Sequence, residues 1–141
     1  MKARDSGMPE EAYWESLVDP NGTLTTLAVD GTISNAVELG CGYGTFTIPA
    51  ARRIRGTLTT FDIEPVMVAR TTERAAELVI SNVHAMVRDV LLDGFGLPNT
   101  SQDACLLFNI LHTDDPVRLL SEAARVVRLG GHCPRDTLAL R

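Results

Sequence analysis

Apolar and polar positions along this chain fall into units whose period switches repeatedly between two and about 3.6 residues. Ala36–Leu39 is a short apolar run interrupted only by Glu38, and it reads as a buried strand. Thr57–Phe61, rich in β-branched residues, and Val83–Val87 read as the second and third strands. Ala104–Phe108 is a continuous apolar run of the kind a sheet covered on both faces requires. Between these runs the spacing turns helical. Thr45–Ile54 predicts a helix closed by Gly56, and Pro65 to Leu78 predicts another, with proline in its first turn. Asp115-Pro116 opens a last helix through Arg128, stopped by Gly130-Gly131. Ahead of the first strand, residues 9–18 predict a short amphipathic helix with Tyr13, Trp14 and Leu17 on one side. Asp19-Pro-Asn-Gly22 reads as its break, and residues 23–29 as a second helical turn. Strands alternating with helices at this spacing imply right-handed βαβ units and an α/β, doubly wound parallel sheet. Ligands of such sheets bind beyond the carboxyl ends of the strands, where the strand order reverses.

Composition narrows the picture further. The 141 residues suffice for one domain with a sizeable core, and 45% apolar against 22% charged residues excludes disorder. A net charge of −5 argues against a nucleic-acid partner. The one tight basic cluster, Arg52, Arg53 and Arg55, reads as the solvated end of a helix. No apolar run approaches the length of a membrane span, and the N-terminus has no apolar signal region, so the expected location is cytoplasmic. Cys41, Cys105 and Cys133 form no C-x-x-C pair, which points away from a disulfide framework or a zinc site. Asn21-Gly-Thr23 matches a glycosylation sequon and reads as a turn.

The chemistry concentrates in Glu38-Leu-Gly-Cys-Gly-Tyr-Gly44. Glycines at alternating positions after a strand let the backbone turn sharply and approach a ligand closely. Strand, glycine turn and helix together hold a nucleotide-like ligand. Glu38 discriminates between ligands. A pyrophosphate would be repelled by a carboxylate there, whereas a ligand carrying an ammonium and a sulfonium would be attracted. The spacing also fails the dinucleotide pattern, since Thr45 stands where a third glycine is needed. The loop resembles motif I of the class I S-adenosylmethionine-dependent methyltransferases, E/D-x-G-x-G-x-G. That resemblance implies a Rossmann-like S-adenosylmethionine-binding domain over residues 31–141, with residues 1–30 as an N-terminal helical segment.

Positions following the other strands extend the reading. Asp62, after the second strand, can accept both hydroxyls of a ribose, and Glu64 competes for that role while also reading as the cap of the next helix. By the resemblance, the donor's amino-acid end lies against Gly40, Cys41, Gly42, Tyr43 and Gly44. Its ribose lies near Asp62 and Ile63, and its adenine near Asp89 and Val90, with Asp93 a lesser candidate. Asn109, after the fourth strand, is placed facing the methyl donor, and His112 is a candidate base beside it. Trp14 and Tyr13 either close over the donor, line an acceptor pocket, or simply pack. His84 and His132 attract no catalytic role.

Methyl transfer from a sulfonium is an in-line displacement governed by positioning and water exclusion, so a catalytic side chain is optional. The expected function is methyl transfer from S-adenosylmethionine to a small-molecule acceptor, with no nucleic-acid or membrane partner. The resemblance breaks at the end of the chain. Gly130-Gly131 is followed by a poor strand start containing Pro134, only Thr137–Leu140 suits a fifth strand, and the family's last two antiparallel strands have no residues. Three expectations follow: a homodimer through an exposed sheet edge or an exchanged terminal segment; donor binding that outlasts catalysis; or a truncated or frameshifted reading frame. The competing functions are a non-catalytic donor-binding or interaction module and, disfavoured by Glu38 and Thr45, a nicotinamide-dependent oxidoreductase.

Overall fold

Four apolar runs become the four strands of one parallel sheet: β1 Ala36–Leu39, β2 Leu58–Asp62, β3 Val83–Val87 and β4 Ala104–Leu107. The computed structural model describes residues 9–108 and 114–128. Strand order is β3-β2-β1-β4, so the chain winds outward from β1 through β2 and β3, then returns to lay β4 on the other side of β1. The order reverses between β1 and β4, which locates the expected ligand crevice. The helices are α1 Glu11–Ser16, α2 Pro20–Thr26, α3 Thr47–Arg53, α4 Pro65–Glu77, α5 Val90–Asp93 and α6 Pro116–Val126.

Alternation along the strands sorts the core into two clusters, one on each face of the sheet. Ala36, Leu58, Ala104, Leu106 and Phe108 meet Leu24, Val29, Phe46, Ala50 and Ile54 on the first face. Val37, Phe61, Cys105 and Leu107 meet Leu91, Phe95, Leu119, Ala123 and Val126 on the second. Leu24 and Val29, both from the N-terminal segment, are fully buried within the first cluster. Glu38 shares the first face with Ala36 and sits beside Thr60 in the β1–β2 register. Alternation therefore delivers a carboxylate to the apolar side of a central strand.

Two local readings change, and one short helix was not foreseen. Asp19-Pro-Asn-Gly22 starts a helix: Asp19 is the N-cap of α2, its Oδ1 accepting from the Gly22 amide at 3.1 Å, with Pro20 in the first turn. Glu64 stands at the N-cap position of α4 but makes no capping bond; its own amide donates to Asp62 Oδ1 at 2.9 Å. The four-residue α5 is too short to show a period, and it is capped by Asp89. The expected fifth strand and the Gly130-Gly131 turn lie outside the described residues. Among the described residues no helix is long and apolar enough to cross a membrane. At the β3 edge Met86 and Val87 are exposed, and no strand among the described residues covers them.

Candidate cofactor site

The glycine loop leaves β1 at the reversal point. Gly40, Gly42 and Gly44 all adopt positive φ, at 82°, 53° and 83°. A side chain in that region is strained, and a Cβ at Gly44 would also meet Thr71 Oγ1 at 3.2 Å. Neighbouring strands fasten the loop from below. The amides of Gly40 and Cys41 both donate to the Phe61 carbonyl, at 2.7 and 3.1 Å, and Gly44 N donates to Cys41 O at 2.8 Å. Thr71 Oγ1, fully buried in α4, donates to Gly42 O at 2.9 Å.

Asp62 completes the loop. It is 5% exposed; its Oδ2 accepts from Gly42 N at 2.9 Å and its Oδ1 from Glu64 N at 2.9 Å. Burial raises its pKa, opposed by the Glu64 and Gly42 amides. Each oxygen retains acceptor capacity beyond one amide bond, so the shape-holding role and ribose binding are compatible.

Glu38 lies deeper, 1% exposed. Thr47 Oγ1, from the first turn of α3, and Thr60 Oγ1, from β2, both donate to its Oε1, at 2.5 and 2.7 Å. Burial pushes its pKa up to about 7; the two hydroxyl bonds resist that rise and the charge of Asp62 adds to it. Among the described residues neither acid forms an ion pair. The α4 arginines pair with other acids, Arg70 with Glu11 at 2.8 Å and Arg74 with Glu15 at 2.6 Å, Arg74 also donating to the Tyr43 carbonyl of the loop at 2.9 Å. Two buried carboxylates thus share a small volume with neutral hydrogen-bond donors only, an arrangement complementary to a cationic ligand. Cys41 and Cys105 are buried, and burial raises both thiols.

The remaining expected positions spread around this centre. Tyr43 is half-buried, and its hydroxyl donates to the Pro9 carbonyl just ahead of α1. Ile63 is half-buried beside Asp62. Asp89 caps α5, with Oδ1 accepting from Leu92 N at 3.3 Å, while Val90 is buried in the second cluster. Asp93 ends α5 and is exposed. Asn109 and His112 lie outside the described residues. Trp14 packs against the first cluster and Tyr13 points outward at 58% exposure, which favours packing for the tryptophan.

Residues 36–131 match the family described as Methyltransferase domain. The chain belongs to that family. No curated protein matches this methyltransferase domain in sequence. Among solved structures, a SAM-dependent methyltransferase from Aquifex aeolicus is 18% identical with a TM-score of 0.71; the alignment covers 92% of this chain and 77% of that one. Geranyl diphosphate C-methyltransferase from Streptomyces coelicolor A3(2) is 22% identical with a TM-score of 0.70, covering 89% and 51%. The [4+2]-cyclase SpnF is 23% identical with a TM-score of 0.70, covering 92% and 46%. The chain therefore spans about half the length of several structures it resembles. These likenesses establish the class I, Rossmann-like methyltransferase fold, and strand order β3-β2-β1-β4 agrees with it.

The motif brought out the glycines and Glu38 of this methyltransferase domain, but three buried threonines escaped it. Thr47, Thr60 and Thr71 are each 0% exposed and each donates to the loop or its acid. Thr60 carried a usable signal: it lies two residues before Asp62 on one strand and so shares its face. Thr47 and Thr71 carried none, because their partners depend on how α3 and α4 pack.

Proposed function

We propose that this methyltransferase domain binds S-adenosylmethionine at the β1 glycine loop and transfers its methyl group to a small-molecule acceptor. The observation that carries the reading is the pairing of Glu38 and Asp62 beneath a loop with three positive-φ glycines, with no cationic partner among the described residues. A donor bearing ammonium and sulfonium charges supplies what these acids lack, and a pyrophosphate does not. The donor's amino-acid end would lie over Gly40–Gly44, its ribose at Asp62 and Ile63, and its adenine at Asp89 and Val90. Asn109 would face the methyl group.

When bound, the donor supplies an electrophilic methyl carbon. The chain's own part is to orient and to exclude water. Asp62 and Thr71 fix the loop from opposite sides through Gly42, while Phe46 and Phe108 stack at 4.2 Å and tie the loop's far end to β4. The domain is proposed to work in the cytoplasm, as a homodimer joined through a sheet edge or an exchanged terminal segment. Light scattering of the purified chain reads the dimer directly.

A second reading has its own support. A [4+2]-cyclase is as similar in fold as the methyltransferases, so this fold also hosts a different reaction, and donor binding without turnover is the alternative. Calorimetric titration with S-adenosylmethionine tests the shared first step. Saturable binding, lost in a Glu38→Ala/Asp62→Ala variant, is expected; its absence from a folded wild-type chain rejects both readings. Methyl transfer in an acceptor screen then separates them.

A further inference from the structure

We infer that Thr47 and Thr60 are positioning residues of the donor site, holding the Glu38 carboxylate turned and charged toward the cationic ligand. The inference rests on the donor-binding reading above and concerns how that site is kept ready.

The geometry is specific. Thr47 reaches Glu38 from α3 and Thr60 from β2, so two separate elements converge on one side chain. Both hydroxyls donate to the same oxygen, Oε1, at 2.5 and 2.7 Å. No hydrogen bond among the described residues reaches Oε2. A carboxylate pinned by one oxygen has one orientation and keeps the acceptor capacity of the other. Two hydroxyl donors also favour the ionised form, which burial opposes. Without them a glutamate this deep in the first cluster would take up a proton and lose its attraction for a cation.

The groups facing Glu38 reinforce the point. Asp62 from β2 works against a charge on Glu38, with Glu64 behind it. Cys41 from the loop and Cys105 from β4 are buried thiols held neutral by their burial. The basic residues of the packed helices bond elsewhere than to Glu38: Arg53 of α3 to Thr25 and Asn21, Arg70 of α4 to Glu11, and Arg74 of α4 to Glu15 and the Tyr43 carbonyl. Arg52 at the end of α3 is exposed. Thr47 and Thr60 thus supply the hydrogen bonds that oppose the protonation burial favours, so that Glu38 is more readily charged than burial alone would allow. A bound cation would complete the set, and any proton on Glu38 would leave to solvent at that moment.

The test is calorimetric titration with S-adenosylmethionine of wild type, Thr47→Val, Thr60→Val and the corresponding serine variants, across pH. Valine keeps the shape and removes the donor; serine restores it. In each valine variant, affinity relative to wild type is expected to fall about tenfold near pH 6 and to match within about twofold near pH 9. The ratio to wild type cancels titration of the ligand's own amine. Serine variants should follow wild type at both ends. A loss equal at every pH, or valine variants indistinguishable from wild type, overturns the inference while leaving donor binding intact. Wild type that binds no donor at any pH rejects the donor-site reading itself, and the inference with it. Should the valine variants fail to fold, Thr47→Ala and Thr60→Ala remove the same donors and carry the same expectation: a loss concentrated near pH 6 supports the inference, and a loss equal at every pH overturns it.

Discussion

The glycine loop and helix α1 are neighbours held by opposite means. The loop is fastened from inside by groups that never meet solvent: Glu38, Thr47, Thr60, Asp62 and Thr71 are all at most 5% exposed. Helix α1 buries none of its six residues; Trp14 rests against the first cluster, and ion pairs attach the helix from outside. Arg70 forks onto Glu11 at 2.8 and 3.0 Å; Arg74 reaches Glu15 at 2.6 Å and, through the same nitrogen, the Tyr43 carbonyl at 2.9 Å. Buried hydrogen bonds are shielded from salt, whereas exposed ion pairs are weak and screened. The same few ångströms therefore hold a fixed cradle and a detachable flank.

The largest expected effect breaks the cradle's electrostatics. Glu38 has a folded pKa of about 7 against an ordinary 4.5, so the native state holds an extra proton across that window and stability falls as pH rises through it. Glu38→Gln removes this cost. Urea denaturation should find the variant more stable than wild type by about 3 kcal/mol above about pH 7, and no different below about pH 4.5. Donor affinity in the same variant should drop by about a hundredfold or more, since the amide carries no charge. A stabilised but non-binding protein is the expected signature of an acid retained for its ligand.

Next in size is Gly44→Ala. It forces an alanine into positive φ against Thr71, with an expected loss of about 2 kcal/mol in thermal or urea unfolding. Thr71→Val keeps the packing and removes the hydroxyl's bond to Gly42 O and its interaction with the Cys41 thiol. It should cost about 1 kcal/mol and weaken donor binding about tenfold, the two readouts moving together. The smallest effect belongs to the flank. Arg70→Gln/Arg74→Gln should leave the unfolding midpoint nearly unchanged, while amide exchange in Glu11–Ser16 quickens severalfold. Adding about 0.5 M salt to wild type should mimic the substitution. If salt leaves α1 exchange untouched, the contrast between the two regions is wrong.

Much of this was legible in the sequence. β1 and β3 were expected with their observed bounds, and β2, β4 and α4 fell within a residue of theirs, because apolar runs and β-branched content are properties of the chain itself. Start signals were easier to misread. Asp19-Pro20 serves equally as a helix breaker or a capped helix start, and only the Asp19–Gly22 bond distinguishes them. Glu64 looked like a cap and makes no capping bond; its own amide is instead held by Asp62. In the site, the motif identified Glu38 and its glycines. It could not identify Thr47 or Thr71, whose partners lie 9 and 29 residues away and are set by helix packing.

One feature of α1 turns that helix into an instrument. The chain has a single tryptophan, Trp14, placed on this charge-tethered flank with its ring against the first cluster. Intrinsic emission excited at the indole band therefore reports on one element and nothing else. A red shift with rising salt would record the flank leaving its seat, with no label, mutation or knowledge of the acceptor. The same optical channel would follow ligand titrations in real time, giving the rate at which the flank settles.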